Sequence, residues 1–115
     1  MQIPDYSHLS SIELAQKIGL KPSLIPHLLA TFIKEALGSL SKLKVAIASE
    51  NYVQIEQIAH SLRGSAANLR LEEFESLAKE MEFAAKASKH TYDYTGVSTV
   101  LGRCIDSIGL VDLKD

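Results

Sequence analysis

The sequence predicts an all-α protein, an antiparallel up-down four-helix bundle with an additional short N-terminal helix. Three observations carry that expectation. Apolar residues recur at three and four positions along most of the chain, all three prolines (Pro4, Pro22, Pro26) lie before residue 27, and the stripes are separated by short connections.

The elements follow in order. Ser10 or Ser11 can cap a short helix through Ile12, Leu14, Ala15 and Ile18, with Gly19 suited to ending it, so that it forms a lid on one bundle end. A second helix can start near Ser23, because Pro26 then falls in a first turn whose N–H groups have no internal acceptor. Its stripe of Ile25, Leu28, Leu29, Phe32, Ile33, Ala36, Leu37, Leu40, Leu43 and Ile47 runs to about Ser49, and Gly38 inside it marks a close helix contact or a bend. Asn51 and Gln54 resemble a capping box that opens a third helix, whose inward face is Ile55, Ile58, Ala59, Leu62, Ser65, Ala66 and Leu69. After a break at Arg70, Leu71, Phe74, Leu77, Ala78, Met81 and Ala85 form the stripe of a fourth helix, which the short connection makes an antiparallel hairpin partner of the third. Glu72, Glu73 and Glu75 favour its positive N-terminal end. Polar residues Ser88 to Thr95 then lead to a last helix from about Thr95 to Ile108, with Val97, Leu101, Cys104, Ile105 and Ile108 inward.

Composition narrows the function. The 115 residues suit one domain, spanning 1–115, that buries about two thirds of its unfolded surface. A content of 46% hydrophobic and 23% charged residues is globular, and no apolar run approaches the roughly 20 residues that span a bilayer. Met1-Gln2-Ile3-Pro4-Asp5 has neither a basic region nor a following apolar block, so a cytoplasmic location without direct membrane contact is expected. Twelve basic against fourteen acidic residues give a formal charge of −2, which disfavours nucleic-acid binding. Cys104 has no second thiol for a disulfide or metal site and reads as a core residue. His8, His27 and His90 are scattered without metal-ligand spacing, and no glycine run has the spacing of a nucleotide loop.

One histidine stands apart. At about 100° per residue, Ile58, Leu62, Ser65 and Leu69 share a direction, and His60 lies roughly 160° from it, facing solvent. Its outer-surface neighbours are Glu56, Gln57, Arg63, Gly64 and Ala67. Gly64, one turn onward, removes a side chain that would screen the ring, at a helix cost of about 1 kcal/mol. Arg63 reaches the same surface and can donate several hydrogen bonds to phosphoryl oxygens. An exposed imidazole is largely uncharged at neutral pH and keeps a nucleophilic lone pair, which suits covalent group transfer.

The segment Ala59-His60-Ser61-Leu62-Arg63-Gly64-Ser65-Ala66-Ala67-Asn68-Leu69 resembles the histidine-containing phosphotransfer (HPt) domain family of phosphorelays, whose motif reads approximately Ala-His-x-Leu-Lys-Gly-x-Ala-x-Asn-Leu-Gly. The resemblance extends from the Phe32-to-Glu50 stripe to the region of Leu77 to Glu82. It implies that His60 accepts and donates the phosphoryl group, with Arg63 as charge partner, Gly64 giving access and Asn68 fastening the hairpin end. It also implies a phosphorelay intermediate that receives phosphate from a receiver-domain aspartate and passes it to another. The partners would be a response-regulator receiver and a hybrid sensor histidine kinase. The domain itself would bind no ATP, cofactor or metal, would have no autonomous kinase activity, and would leave Mg2+ to the receiver. Two positions depart from the pattern. Arg63 replaces lysine, keeping charge but changing reach, and Arg70 replaces a glycine, where a left-handed conformation costs about 1 kcal/mol.

Counting equal steps from the hairpin turn puts Lys79, Glu80 and Phe83 level with His60. Phe83 lies opposite its helix's apolar stripe, so Phe83, Lys79, Gln57 and Ala67 form the expected docking surface of a monomer. A non-catalytic adaptor that binds a receiver or sensor through the same surface is the competing function.

Overall fold

Three of the five α-helices begin on a side chain that accepts one of their free N–H groups. The computed structural model describes residues 3–109, with α1 at Ser11–Ile18, a 3-10 turn at Pro22–Leu24, α2 at Ile25–Ala48, α3 at Tyr52–Asn68, α4 at Glu72–Lys86 and α5 at Tyr94–Ile108. Ser10 caps α1 by accepting the Glu13 N–H at 3.3 Å, and Asn51 caps α3 by accepting the Gln54 N–H at 3.1 Å. The expected capping box is incomplete. Gln54 Oε1 meets the Asn51 side-chain amide at 3.4 Å, while the Asn51 backbone N–H turns back to Ala46 at 2.9 Å. α2 starts at Ile25, two residues later than expected, because the 3-10 turn precedes it and leaves Pro26 in the first turn. α5 starts at Tyr94, capped by Asp93, whose Oδ1 accepts the Gly96 N–H at 3.0 Å.

The interior helices stop by one device. At the end of α3 the Leu71 N–H reaches back to Ala66 at 3.0 Å and the Arg70 N–H to Ala67 at 3.1 Å, with Arg70 at φ 57°. α2 and α4 end in the same paired closure, with Glu50 at φ 52° and Ser88 at φ 51°. Three non-glycine residues therefore sit in the left-handed region, each at about 1 kcal/mol. For Arg70 this is the conformation expected from the glycine it replaces.

These reversals give an antiparallel ring in which α2 packs on α3 and α5, and α4 packs on the same two helices. Phe32, Leu43, Ile55, Leu62, Phe74, Met81, Leu101 and Ile105 fill its centre, and Phe32 meets Phe74 edge to face at 5.4 Å. The all-α expectation and its short N-terminal helix hold, with no strand among the described residues. The α2 stripe is narrower than expected. Burial follows Ile25, Leu29, Phe32, Ala36, Leu40 and Leu43, and Leu37, about 100° round from Ala36, is 47% exposed. Leu28, Ile33, Ile47, Ile58, Ser65 and Leu77 lie half-buried at the stripe edges. Gly38 makes no close helix contact, since a Cβ added there meets nothing within 4 Å.

The segment before α1 straps the bundle end. Tyr6 is buried, its hydroxyl donating to Glu73 Oε2 at 2.7 Å and accepting the Phe74 N–H at 3.0 Å, while its own N–H reaches Ser107 at 2.9 Å. Burial, then the bond to Glu73, pushes the Tyr6 phenol well above its ordinary range. Cys104 is fully buried in α5, and burial pushes its thiol up to about 11. No helix among the described residues is long and apolar enough to cross a membrane.

Candidate functional site

Ala59 and Leu62 anchor the inner face of α3, each nearly inaccessible, and this fixes His60 on the outer face between them. The His60 side chain is 65% exposed. It is not free on both sides, because its Nδ1 lies 3.0 Å from Oε2 of Glu82, which reaches across from α4. Glu82 is a buried carboxylate, its side chain only 10% exposed.

The second partner of Glu82 is Arg63, one turn along α3 from His60. Arg63 Nε stands 3.0 Å from Glu82 Oε1, although its N–H is not aligned for a hydrogen bond, so this contact is one of charge. One guanidinium nitrogen, Nη2, also comes within 3.3 Å of His60 Nδ1. The two contacts at Nδ1 cannot both be hydrogen bonds of a neutral ring. A carboxylate only accepts, so the shorter contact requires a proton on Nδ1, and the guanidinium then lies beside the ring as a neighbouring charge. In that tautomer the lone pair sits on Nε2. The α3–α4 pair thus presents an exposed imidazole whose inner nitrogen is tied down and whose outer nitrogen carries the lone pair.

Gly64 is exposed, and a Cβ added there meets nothing within 4 Å. Nothing inside the chain needs a glycine at this position. Gln57 is exposed and Ala67 half-buried on the same helix. Phe83 is 51% exposed on α4, with the Arg63 guanidinium 5.9 Å from its ring centroid and Lys79 Nζ at 5.7 Å. His60, Arg63, Lys79 and Phe83 therefore form one surface, linked through Glu82 and the Phe83 ring. Asn68 is exposed at the last position of α3.

Glu82 is the site residue the sequence did not disclose. The equal-step count levels His60 with Lys79, Glu80 and Phe83, whereas the contact is to Glu82, which lies within the same stretch of α4. A usable signal was present. Glu82 falls between Met81 and Ala85 on the buried flank of α4, where an ionised carboxylate requires a partner.

A broad open cleft lined by Tyr6, Leu9, Arg70, Glu73 and Leu77 lies at the strapped end, and a smaller one lies beside Tyr52, Tyr92 and Tyr94. Neither includes His60, which sits on an open helical surface suited to a macromolecular partner. No cluster of three or more His, Cys, Asp or Glu side chains with metal-binding geometry occurs among the described residues.

Comparison with known proteins agrees with the motif. The family model described as the Hpt domain matches residues 27–109, from the first turns of α2 to the end of α5. Searches of curated proteins and of solved structures return no match. The match covers well over half of the chain and leaves outside it only the N-terminal strap, α1 and the residues flanking the match. An all-helical ring with an outward imidazole, matched over that span, places the chain in a phosphorelay role: it belongs to the Hpt domain family.

Proposed function

We propose that His60 accepts a phosphoryl group from a receiver-domain aspartate and passes it to another receiver aspartate. The observation that carries this reading is the 65% exposed imidazole tied at Nδ1 to Glu82 and open at Nε2. In the accepting step, the Nε2 lone pair attacks phosphorus in line, the N–P bond forms, and the aspartate leaves with the electron pair of the broken P–O bond. Nδ1 keeps its proton. Arg63 contributes positive charge beside the ring, Gly64 leaves the approach open, and Gln57, Ala67, Lys79 and Phe83 receive the partner's surface. The Mg2+ that aids the leaving carboxylate belongs to the receiver. On this reading the protein is a monomeric intermediate, one domain over residues 1–115. It works in the cytoplasm alone or as the end of a hybrid sensor kinase, without kinase activity of its own.

The test uses a panel of receiver domains phosphorylated with acetyl phosphate. Wild-type protein is expected to acquire acid-labile, alkali-stable label, and His60→Gln to acquire none. Label retained by His60→Gln rejects the site. Reversible binding of receivers without label on the wild type favours the adaptor.

A further inference from the structure

We propose that residues 3–9 form a releasable clamp: Tyr6 supplies α4 with the N-terminal cap its own sequence lacks, and its release opens the turn end of the bundle while the rest stays folded. The clamp lies outside residues 27–109, the span matched to the family, and does not depend on what His60 carries.

α4 is the helix that needs such help. Ser10, Asn51 and Asp93 cap α1, α3 and α5 from the adjoining chain, and a 3-10 turn leads into α2. The residue before α4 is Leu71, whose side chain can accept nothing, so the neighbouring sequence offers the first turn no side-chain cap. The Tyr6 hydroxyl takes that place from 68 residues away, accepting the Phe74 N–H at 3.0 Å. Its own proton is committed to Glu73 Oε2 at 2.7 Å, which leaves the oxygen lone pairs to accept. Glu73 therefore acts twice, placing its charge at the positive end of the helix and orienting the phenol that caps it.

The clamp's other hold is on α5. The Tyr6 N–H donates to Ser107 Oγ at 2.9 Å, and Ser107 Oγ donates to the Cys104 carbonyl at 2.7 Å, so the strap crosses α5 beside the buried thiol. Burial, and after it the Glu73 charge, keeps that thiol protonated, which puts thiol and carboxylate at the same end of the bundle.

The strap can lift alone because one side chain carries most of its attachment. Of residues 3–9 only Tyr6 is buried; Ile3, Asp5 and His8 are exposed, and Pro4, Ser7 and Leu9 are half-buried. Behind it α1 packs on α2 and on the 3-10 turn, with Leu14 and Ala15 buried, so α1 keeps its place when Tyr6 leaves. A segment with a single buried anchor opens at lower free energy than helices that share a core. The opened clamp leaves the first turn of α4 without its cap and Cys104 without its cover, on the hairpin whose second helix carries Glu82.

The test follows amide hydrogen exchange by NMR, and labelling of the single cysteine by an aromatic disulfide, in the intact protein at low urea. The thiolate attacks the disulfide, the mixed disulfide forms, and an aromatic thiolate leaves and is counted. In wild type the Phe74 N–H and the Cys104 thiol are expected to react through an opening at least about tenfold more frequent than the one that exposes the Leu62 N–H, and less dependent on urea. Tyr6→Phe keeps the ring but removes the hydroxyl, and should raise both rates about tenfold. Ile55→Val, near the start of α3, weakens the whole fold and should speed Leu62 exchange while leaving Phe74 and Cys104 unchanged. Phe74 and Cys104 reacting in wild type only with the frequency and urea dependence of Leu62 overturn the clamp, and so does a folded Tyr6→Phe in which neither rate moves. The wild-type comparison decides the matter even where the variant unfolds.

Discussion

The exposed face of the α3–α4 hairpin and the seam between α2 and α5 are built on opposite rules. Along the seam, Leu40 and Leu43 of α2 and Val97, Leu101, Cys104 and Ile105 of α5 are buried, and the ionisable group there, the Cys104 thiol, is sealed from water. On the hairpin the same helical repeat carries a buried carboxylate, an exposed imidazole, an exposed phenylalanine and a helix glycine with open space beside it. Gly64, Glu82 and Phe83 each cost the isolated domain stability, through helix propensity, desolvation and solvent-facing apolar surface respectively. On the hairpin these three features gather around one ring.

The largest separation is expected from truncating one side chain in each region. Leu101→Ala removes a fully buried side chain and should lower unfolding free energy by about 2–5 kcal/mol, measured by urea denaturation. Phe83→Ala should change stability by no more than about 0.5 kcal/mol yet raise the receiver concentration needed for half-maximal transfer by about tenfold. A Phe83 variant that unfolds like Leu101→Ala would assign Phe83 to the fold.

The titratable groups sharpen the contrast. Burial raises the Cys104 thiol from 9.0 to about 11, so the folded state disfavours the thiolate. The sign follows from proton binding. Below pH 9 the thiol is protonated in both states and the contribution is fully present; as pH rises towards about 11, the unfolded chain ionises first and stability declines. Urea midpoints should therefore fall across that window, and the fall should be shallower in Cys104→Ala. Equal slopes in the two proteins would show that the thiol is not sealed.

The smallest effects come from the two open helix glycines. Gly38 and Gly64 both have room for a Cβ, so Gly38→Ala and Gly64→Ala should each add up to about 1 kcal/mol of stability. Only Gly64→Ala should slow transfer from a phosphorylated receiver. Equal transfer rates in both would remove the access role of Gly64. Nothing in the structure explains why Gly38 is a glycine.

Most of the architecture could be read directly from the order of the residues, because helix stripes, caps and breaks are local. The stop at Arg70 and the outward direction of His60 needed only the 3.6-residue repeat. What was hidden depended on relations between helices. The width of the α2 stripe, and hence the exposure of Leu37, is set by how closely α3 and α5 approach. The pairing of His60 with Glu82 is set by how α3 and α4 face each other across the hairpin, and a local pattern carries no information about that facing. The motif located His60, whereas its partner Glu82 emerged only once the α3–α4 register was known.

The central claim concerns one nitrogen atom. Nitrogen-15 and phosphorus-31 NMR of the phosphorylated protein should show phosphorus bonded to Nε2 of His60, with Nδ1 carrying a proton directed at Glu82. Phosphorus on Nδ1, or on any other residue of the chain, would contradict the account.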